Sequence, residues 1–244
     1  MKVLHLLIVT DLFILKIETW PNFEPEEIEK ASNILASGKV NYWTGDEGCS
    51  FEREFAEKVG VKYAIALSNG SIALSAAYAA LGLGPGDELI TTPRTFIATA
   101  SSAVLLGIKP IFADVDFNSG AITAETIAPL ITKRTKAISV VHLAGWPANM
   151  HEICKLAKEH NLSVLEDCAQ AHGAKIKDKS VGSFGDIAAW SFCQDKIIST
   201  AGEGGMITTN REDLWRNIWE FKDHGKSYNS VFHQSHPPGF RWVH

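Results

Sequence analysis

The alternation of short apolar runs with amphipathic stretches constrains the fold of this chain more than any other feature of the sequence. From about residue 63 to residue 221, short apolar runs are separated by segments of about ten residues with helical spacing. Strands that alternate with helices in this way are typical of βα units, which form a mostly parallel sheet covered by helices on both faces. The sequence therefore predicts an α/β fold with a mostly parallel, seven-stranded sheet.

The predicted elements follow from these runs and from the Gly, Pro and Asp residues at their boundaries. Strands are predicted at residues 63–67, 88–91, 110–113, 136–141, 163–165, 187–191 and 205–208. Helices are predicted at residues 25–36, 50–59, 71–81, 95–106, 123–131, 150–160 and 211–221. We interpret residues 1–36 as an N-terminal segment and helix, and residues 37–244 as one large domain.

Residues 1–17 are mostly apolar, with Lys2 near the start, and so resemble a short signal sequence. Asp11 interrupts them, no small-residue cleavage site follows, and the stretch is short for a membrane span. We interpret it as an N-terminal strand or helix, or as the product of a misplaced start codon, and we predict no association with a membrane.

Charge and cysteine content narrow the class of partner. The net charge is -5 and no cluster of Lys and Arg occurs, which disfavours a nucleic-acid partner. Cys49, Cys154, Cys168 and Cys193 show neither CxxC spacing nor a nearby His at the spacing of metal ligands. They are predicted to be reduced thiols of a cytoplasmic protein that has no metal site.

Ligands of such sheets bind at the carboxyl ends of the strands, so the residues that follow each strand are candidates for chemistry. Residues 68–72 (SNGSI) join a strand to a helix, where Gly70 permits a tight turn and the helix N-terminus and the Ser71 hydroxyl can hold a phosphate. The alternative is an ordinary turn in which Ser71 only caps the helix. Phe96, after the next strand, can stack on a flat ring or be a core residue of an apolar helix.

Two further features follow later strands. Asp167 ends an apolar run, where a carboxylate needs a partner such as a protonated pyridine nitrogen; the alternative is a helix cap. Gln170 follows within reach of the same ring. Lys196 comes soon after a strand and before a glycine-rich turn, which suits a Schiff base, although a lone lysine usually lies on the surface. The four features are the turn at residues 68–72, Phe96, Asp167 and Lys196. Because they occur in this order at successive strand ends, together they indicate a cofactor site far more specifically than any one of them alone.

At this point the sequence resembles a known family, from about Trp20 to the end. The segments that carry the resemblance are residues 37–38 and 43–45, 68–71 (SNGS), 84–88 (GPGDE), 95–96, 112–116 (FADVD), 141–145 (VHLAG), 166–174 (EDCAQAHGA), 182–192 (GSFGDIAAWSF), 195–210 (DKIISTAGEGGMITTN) and 223–225 (DHG). They are similar to the DegT/DnrJ/StrS family of sugar aminotransferases, which depend on pyridoxal 5'-phosphate (PLP) and have the large domain of fold type I.

The resemblance implies a role for each candidate residue. Lys196 would bind the cofactor as a Schiff base and then carry the proton between the amino donor and the cofactor. Asp167 would hold the pyridine nitrogen, Gln170 would contact the ring hydroxyl, and Phe96 would stack on the ring. The implied phosphate ligands are the Ser71 hydroxyl, the Ile72 backbone N–H and the Ser191 hydroxyl. His142 is interpreted as structural.

The resemblance also implies the reaction and the partners. The family usually converts a nucleotide-linked keto sugar into the amino sugar, with glutamate as the usual donor, in a homodimer whose active sites lie at the interface. Its members are longer, so we expect this chain to lack the C-terminal small domain. The alternatives are a truncated inactive relative and a PLP-dependent sugar dehydratase, which Lys196 disfavours because dehydratase relatives carry histidine there. A Rossmann dinucleotide enzyme would need G-x-G-x-x-G after the first strand, and residues 68–71 do not supply it.

Overall fold

The computed structural model describes residues 20–237, so the predictions for residues 1–17 and for the last seven residues lie outside the described part. The helices are α1 (Pro25–Ser37), α2 (Glu47–Val59), α3 (Gly70–Ala80), α4 (Ala98–Leu105), α5 (Ala124–Ile127), α6 (Met150–Glu159), α7 (Glu212–Lys222) and α8 (Tyr228–His233). The strands are β1 (Tyr63–Leu67), β2 (Glu88–Thr91), β3 (Lys109–Phe112), β4 (Thr135–Val141), β5 (Ser163–Asp167), β6 (Lys175–Ile176), β7 (Lys179–Ser180), β8 (Ile187–Ser191) and β9 (Gly205–Thr209).

Seven of these strands form one sheet, in the order β1-β9-β8-β5-β4-β2-β3. The strands from β8 to β3 run parallel, whereas β9 is antiparallel to both β8 and β1. The prediction of a mostly parallel, seven-stranded sheet is therefore confirmed. Strands β6 and β7 form a separate hairpin, which the sequence analysis missed because two residues per strand carry no readable periodicity.

Helices cover both faces of the sheet, as predicted. On β8, Ile187 and Ala189 pack into one core with α3 and α7, while Ala188 and Trp190 pack into another with α2. A third core lies under α5 and α6. Helix α3 contributes small buried residues, including Ala73 (0% exposed), and small side chains let its backbone approach the sheet closely. Between residues 20 and 237, no helix has the length and apolar character needed to cross a bilayer.

Several predicted boundaries are corrected by the structure. The helix predicted at 95–106 begins only at Ala98, because residues 95–97 form an irregular turn after β2. The helix predicted at 123–131 ends at Ile127 and continues as a short 3-10 turn, since Pro129 has no N–H for a further helical bond. Strand β5 extends to Asp167, so Asp167 caps no helix. Helix α3 is capped by Asn69 and not by Ser71, and α8 was missed.

A buried carboxylate, that of Glu166 in β5, fixes the loop that leads into β8. Its Oε1 accepts from the backbone N–H groups of Phe184 (2.7 Å) and Gly185 (2.8 Å), and its Oε2 accepts from that of Gly182 (2.8 Å). Glu166 is 0% exposed. Since a buried charge is tolerated only when it is well paired, this set of donors is what allows Glu166 to lie in the core.

His142, directly after β4, is a further partner of Glu166. Its Nδ1 accepts from the Ala148 N–H (3.2 Å), so Nε2 carries the proton and donates to Glu166 Oε2 (3.0 Å). Cys168 lies beside them, and the three side chains bring potential metal-ligand atoms within 4.8 Å of one another. Both ring nitrogens of His142 are engaged in hydrogen bonds, which supports the structural interpretation of this residue.

We predict that Glu166→Gln lowers the free energy of unfolding by about 3 kcal/mol, because an amide nitrogen then faces backbone N–H donors that lose their acceptor. Urea unfolding of the variant and of the wild type measures this difference. Glu212→Gln, which removes an exposed carboxylate that pairs with Arg216, is the matched control and is expected to change the value by less than about 0.5 kcal/mol. Equal stability of the two variants would contradict the role given to Glu166.

Candidate active site

The carboxyl ends of the parallel strands open into a cavity of about 330 Å³, a volume typical of small-molecule sites. It is lined by Asn69, Gly70, Ser71, Leu74, Thr95, Phe96, Ala98, Thr99, Val141, Asp167, Ala169, Gln170, Ala189, Trp190, Ser191, Cys193, Asp195, Lys196 and Glu203. Every candidate side chain that the sequence analysis named for chemistry is among these residues. Ile72, which was named for its backbone N–H, lies one residue beyond the lining, in the first turn of α3.

The N-terminus of α3 forms one wall of this cavity and suits an anion. The Asn69 side chain caps the helix by accepting from the Ile72 N–H (2.9 Å). The N–H groups of Gly70 and Ser71 belong to the first turn, where a helix offers no internal acceptor, and the helix dipole places positive charge there. In this structure the Ile72 N–H therefore already has an acceptor, while those of Gly70 and Ser71 are the donors available to a ligand.

Two glycines allow the turn before α3 to lie against the ends of β8 and β9. A Cβ atom on Gly70 would lie 2.8 Å from Cβ of Ser191, and one on Gly205 would lie 2.3 Å from the carbonyl oxygen of Asn69. Real Cβ atoms do not approach other atoms so closely. The Ser191 hydroxyl is thereby brought beside the turn, and it accepts from the Cys193 N–H at 3.4 Å.

Asp167 lies at the floor of the cavity and is 6% exposed. Its Oδ2 accepts from the Thr99 hydroxyl (2.7 Å), and its Oδ1 accepts from the Ala169 N–H (3.2 Å). Burial raises the pKa of Asp167 above its ordinary value, although these hydrogen bonds and the charge of Lys196 oppose the rise. A cationic group bound beside Asp167 would favour the ionised carboxylate further, so the site is suited to a cationic partner.

Gln170 is held by the loop after β4. Its Oε1 accepts from the Ala144 N–H at 2.8 Å, and Ala144 adopts a left-handed conformation with φ of 53°. Because a backbone N–H can only donate, the amide oxygen is fixed toward the loop. The amide NH2 group of Gln170 is then left as a donor at the cavity wall.

Lys196 follows β8 on a loop that other segments hold in place. Its side chain is 16% exposed, and Nζ lies 3.7 Å from Oδ1 of Asp195. The Lys196 N–H donates to the carbonyl of Cys193 (3.0 Å), and the Trp20 indole donates to the carbonyl of Lys196 (3.0 Å). The lysine is therefore not an ordinary surface residue, because its side chain is mostly enclosed within the cavity.

Phe96 lies in the turn between β2 and α4 and is 65% exposed. The alternative that it is a core residue is therefore wrong, and its ring is available at the cavity mouth.

Thr99, whose hydroxyl donates a hydrogen bond to Asp167, was missed by the sequence analysis. Nothing in a stretch such as ATASSAVL distinguishes one threonine from a core residue, and only the packing of α4 against α3, β2 and β3 brings it to Asp167.

Comparison with known proteins gives the family of the chain. Residues 21–241 match the model of the DegT/DnrJ/EryC1/StrS aminotransferase family. The chain therefore belongs to this family. The resemblance drawn from the sequence motifs is confirmed.

Several relatives have names that refer to nucleotide-linked sugars. The chain is 41% identical over 208 residues to a GDP-perosamine synthase of Escherichia coli O157:H7, with 84% of this chain and 57% of the relative covered. It is 45% identical over 204 residues to a UDP-N-acetyl-3-dehydro-alpha-D-glucosamine 3-aminotransferase of Acidithiobacillus ferrooxidans, with 82% and 55% covered. The chain thus spans little more than half the length of these relatives.

Solved structures give the same fold. An aminotransferase from Psychrobacter cryohalolentis superposes with a TM-score of 0.92 at 58% identity, covering 93% of this chain and 57% of that one. NtdA from Bacillus subtilis, solved with bound cofactor PMP, superposes with a TM-score of 0.78 at 30% identity, covering 86% of this chain and 47% of that one. The fold is therefore that of the aminotransferases of this family.

The close approach at Gly205 gives a testable consequence. We predict that Gly205→Ala lowers the free energy of unfolding by about 2 kcal/mol or more, because the new methyl group overlaps backbone atoms of Asn69 that cannot turn away. Gly84→Ala is the matched control, since no atom lies within 4 Å of the position that its new methyl group would take. Chemical unfolding of both variants measures the two free energies of unfolding. A Gly205→Ala protein as stable as Gly84→Ala would refute the close approach of Gly205 to Asn69.

Proposed function

We propose that this chain contributes the cofactor-binding part of a PLP-dependent aminotransferase that transfers an amino group from glutamate to a nucleotide-linked keto sugar, in amino-sugar or polysaccharide biosynthesis. The observation that carries the proposal is the meeting of Lys196, Asp167 and the N-terminus of α3 around one cavity. These are a primary amine, a buried carboxylate and an anion site. PLP needs all three.

The residues present fit this cofactor. The N–H groups of Gly70 and Ser71 at the N-terminus of α3, with the Ser71 and Ser191 hydroxyls, would hold the phosphate, and the Ile72 N–H would join them only by exchanging its present acceptor, Asn69, for the phosphate. Asp167 would hold the protonated ring nitrogen. The Gln170 amide would donate to the ring oxygen, and Phe96 would cover the ring face. When bound, PLP supplies an electron sink for reactions at the carbon that bears the amino group.

Lys196 has two tasks in this proposal. Its Nζ would be the group that holds the cofactor covalently. When the amino donor takes that place, the same amine would carry the proton from Cα of the donor to the cofactor, and water would release the donor as its keto acid. The enclosure of the side chain keeps Nζ within the cavity throughout.

The sugar substrate is proposed from the relatives. The named relatives carry GDP-linked and UDP-linked sugars in their names, and the family match extends over residues 21–241 of this chain. We therefore propose a nucleotide-linked keto sugar as the acceptor and glutamate as the donor. We also propose that residues 37–244 form the cofactor-binding large domain and that residues 1–36 form an N-terminal segment and helix; α1 contributes no buried residue, and Trp20 contacts the large domain at Lys196.

A homodimer with the active site at its interface is also proposed. Large apolar side chains stand exposed around the cavity mouth, and such patches typically mark protein interfaces. They are Ile72, Phe96, Ile97, Ile197 and Ile198, each at least 44% exposed. A second copy of the chain would cover them and exclude water from the cavity.

A cytoplasmic location is proposed as well, where the free thiols of the chain stay reduced.

The reaction with glutamate alone tests the proposal. We predict that the chain loaded with PLP converts it to pyridoxamine phosphate when glutamate is added, which absorbance spectroscopy follows. Lys196→Ala is expected to slow this conversion by about a thousandfold, because no amine remains to move the proton. Lys133→Ala, which changes an exposed lysine, is the control and should react like the wild type. A Lys196→Ala rate close to the wild-type rate would contradict the assignment.

Asp167→Asn tests the second assignment. An amide cannot balance the charge of a protonated ring nitrogen, so we predict that the variant retains some cofactor but that its turnover falls about a hundredfold or more. The control is Asp178→Asn, since Asp178 is exposed in a turn remote from the cavity lining. Single-turnover absorbance kinetics of the conversion of bound PLP to pyridoxamine phosphate by glutamate measure the difference. Near-normal turnover in Asp167→Asn would show that another group holds the ring nitrogen.

A further inference from the structure

The hydroxyl of Thr99 makes the shorter of the two hydrogen bonds to the Asp167 side chain. Thr99 Oγ1 lies 2.7 Å from Asp167 Oδ2, whereas the Ala169 N–H lies 3.2 Å from Oδ1. Thr99 is 0% exposed, so water does not compete for this contact. A short hydrogen bond from a neutral hydroxyl to a buried carboxylate is one of the stronger kinds in proteins.

The surroundings of Thr99 fix the direction of this hydrogen bond. The hydroxyl has one proton and three oxygen neighbours: Asp167 Oδ2, Thr95 Oγ1 at 2.8 Å and the Phe96 carbonyl at 3.3 Å. An ionised carboxylate can only accept, and it is the nearest of the three, so Thr99 donates to Asp167. The Thr95 hydroxyl then donates to Thr99, and the two hydroxyls form a short chain that ends at the carboxylate.

The backbone of Thr99 is fixed as well. The Tyr78 hydroxyl, buried in α3, donates to the carbonyl of Thr99 at 2.9 Å and lies 3.2 Å from the Ser139 hydroxyl of β4. The carbonyl of Thr99 is therefore held by Tyr78 of α3, which also contacts β4, while the Thr99 hydroxyl donates to Asp167 of β5. A group fixed in this way can orient its partner, because it has no alternative position to move to.

We propose that Thr99 is a positioning residue for Asp167, whose hydroxyl holds the carboxylate in one orientation and keeps it an acceptor for the cofactor's ring nitrogen. The proposal rests on the proposed function, and it adds to it a residue outside the resemblance and the cofactor-binding set. The charged and titratable groups that face Asp167 from the surrounding elements are His142, Lys196, Tyr78 and Cys168.

The test is a titration of the Asp167 carboxyl by carbon-13 NMR in the chain without cofactor. Thr99→Val keeps the shape but removes the hydroxyl, and we expect it to raise the proton affinity of Asp167 about tenfold. Thr99→Ala should do the same, which keeps the test valid should the valine variant fail to fold. Thr99→Ser restores the hydroxyl and should return the affinity to within about twofold of the wild type.

Thr91→Val is the matched control. Thr91 is equally buried, and its hydroxyl donates to the neutral carbonyl of Ser139 instead of to a carboxylate. It should leave the Asp167 titration unchanged. An unchanged titration in both Thr99→Val and Thr99→Ala would overturn the proposal, as would a shift in Thr99→Ser as large as that in Thr99→Val.

Binding of PLP provides a second readout. We expect Thr99→Val to bind PLP about tenfold more weakly than Thr91→Val does, because its carboxylate is less often ionised and oriented. Equal affinities would also overturn the proposal. A wild-type chain that bound no PLP would defeat the proposed function alone, because the carboxyl titration in the cofactor-free chain would still decide the role of Thr99.

Discussion

The hydrogen bonds of the buried Glu166 carboxylate are the interaction on which the rest of the site depends. They join β5 to the loop before β8 and, through His142, to the end of β4. These three strands are neighbours in the sheet, and their carboxyl ends form the cavity. Because side chains alternate along a strand, the next residue, Asp167, points to the other face and into the cavity. The acid that stabilises the loop before β8 and the acid proposed to hold the cofactor are thus adjacent in sequence.

The second constraint is the close approach of backbone segments at the opposite wall. Gly70 and Gly205 leave no room for a side chain, and so the turn before α3 lies directly against β8 and β9. This contact sets where the helix N-terminus meets the Ser191 hydroxyl. An anion bound there and a cation bound at Asp167 would share the same cavity, which Lys196 also lines.

The sequence was sufficient for the seven strands of the main sheet, its mostly parallel character and the named side chains that line the cavity, because strand ends and loops carry strong local signals. It was not sufficient for Thr99 or for the partner of Gln170, since one contact joins α4 to the end of β5, the other joins a left-handed turn to the loop after β5, and neither leaves a periodic pattern in the sequence. It also left Phe96 and Asp167 with alternatives that only burial and strand length could decide. Long-range packing, and not local preference, determines these features.

The central claim is that Lys196 binds the cofactor covalently at the position between β8 and the glycine-rich turn. The most direct measurement is borohydride reduction of the chain incubated with PLP, followed by proteolysis and mass spectrometry of the peptides. We expect a phosphopyridoxyl group on the peptide that contains Lys196, and on that lysine. A modification that falls on a different lysine, or on none, would contradict the claim.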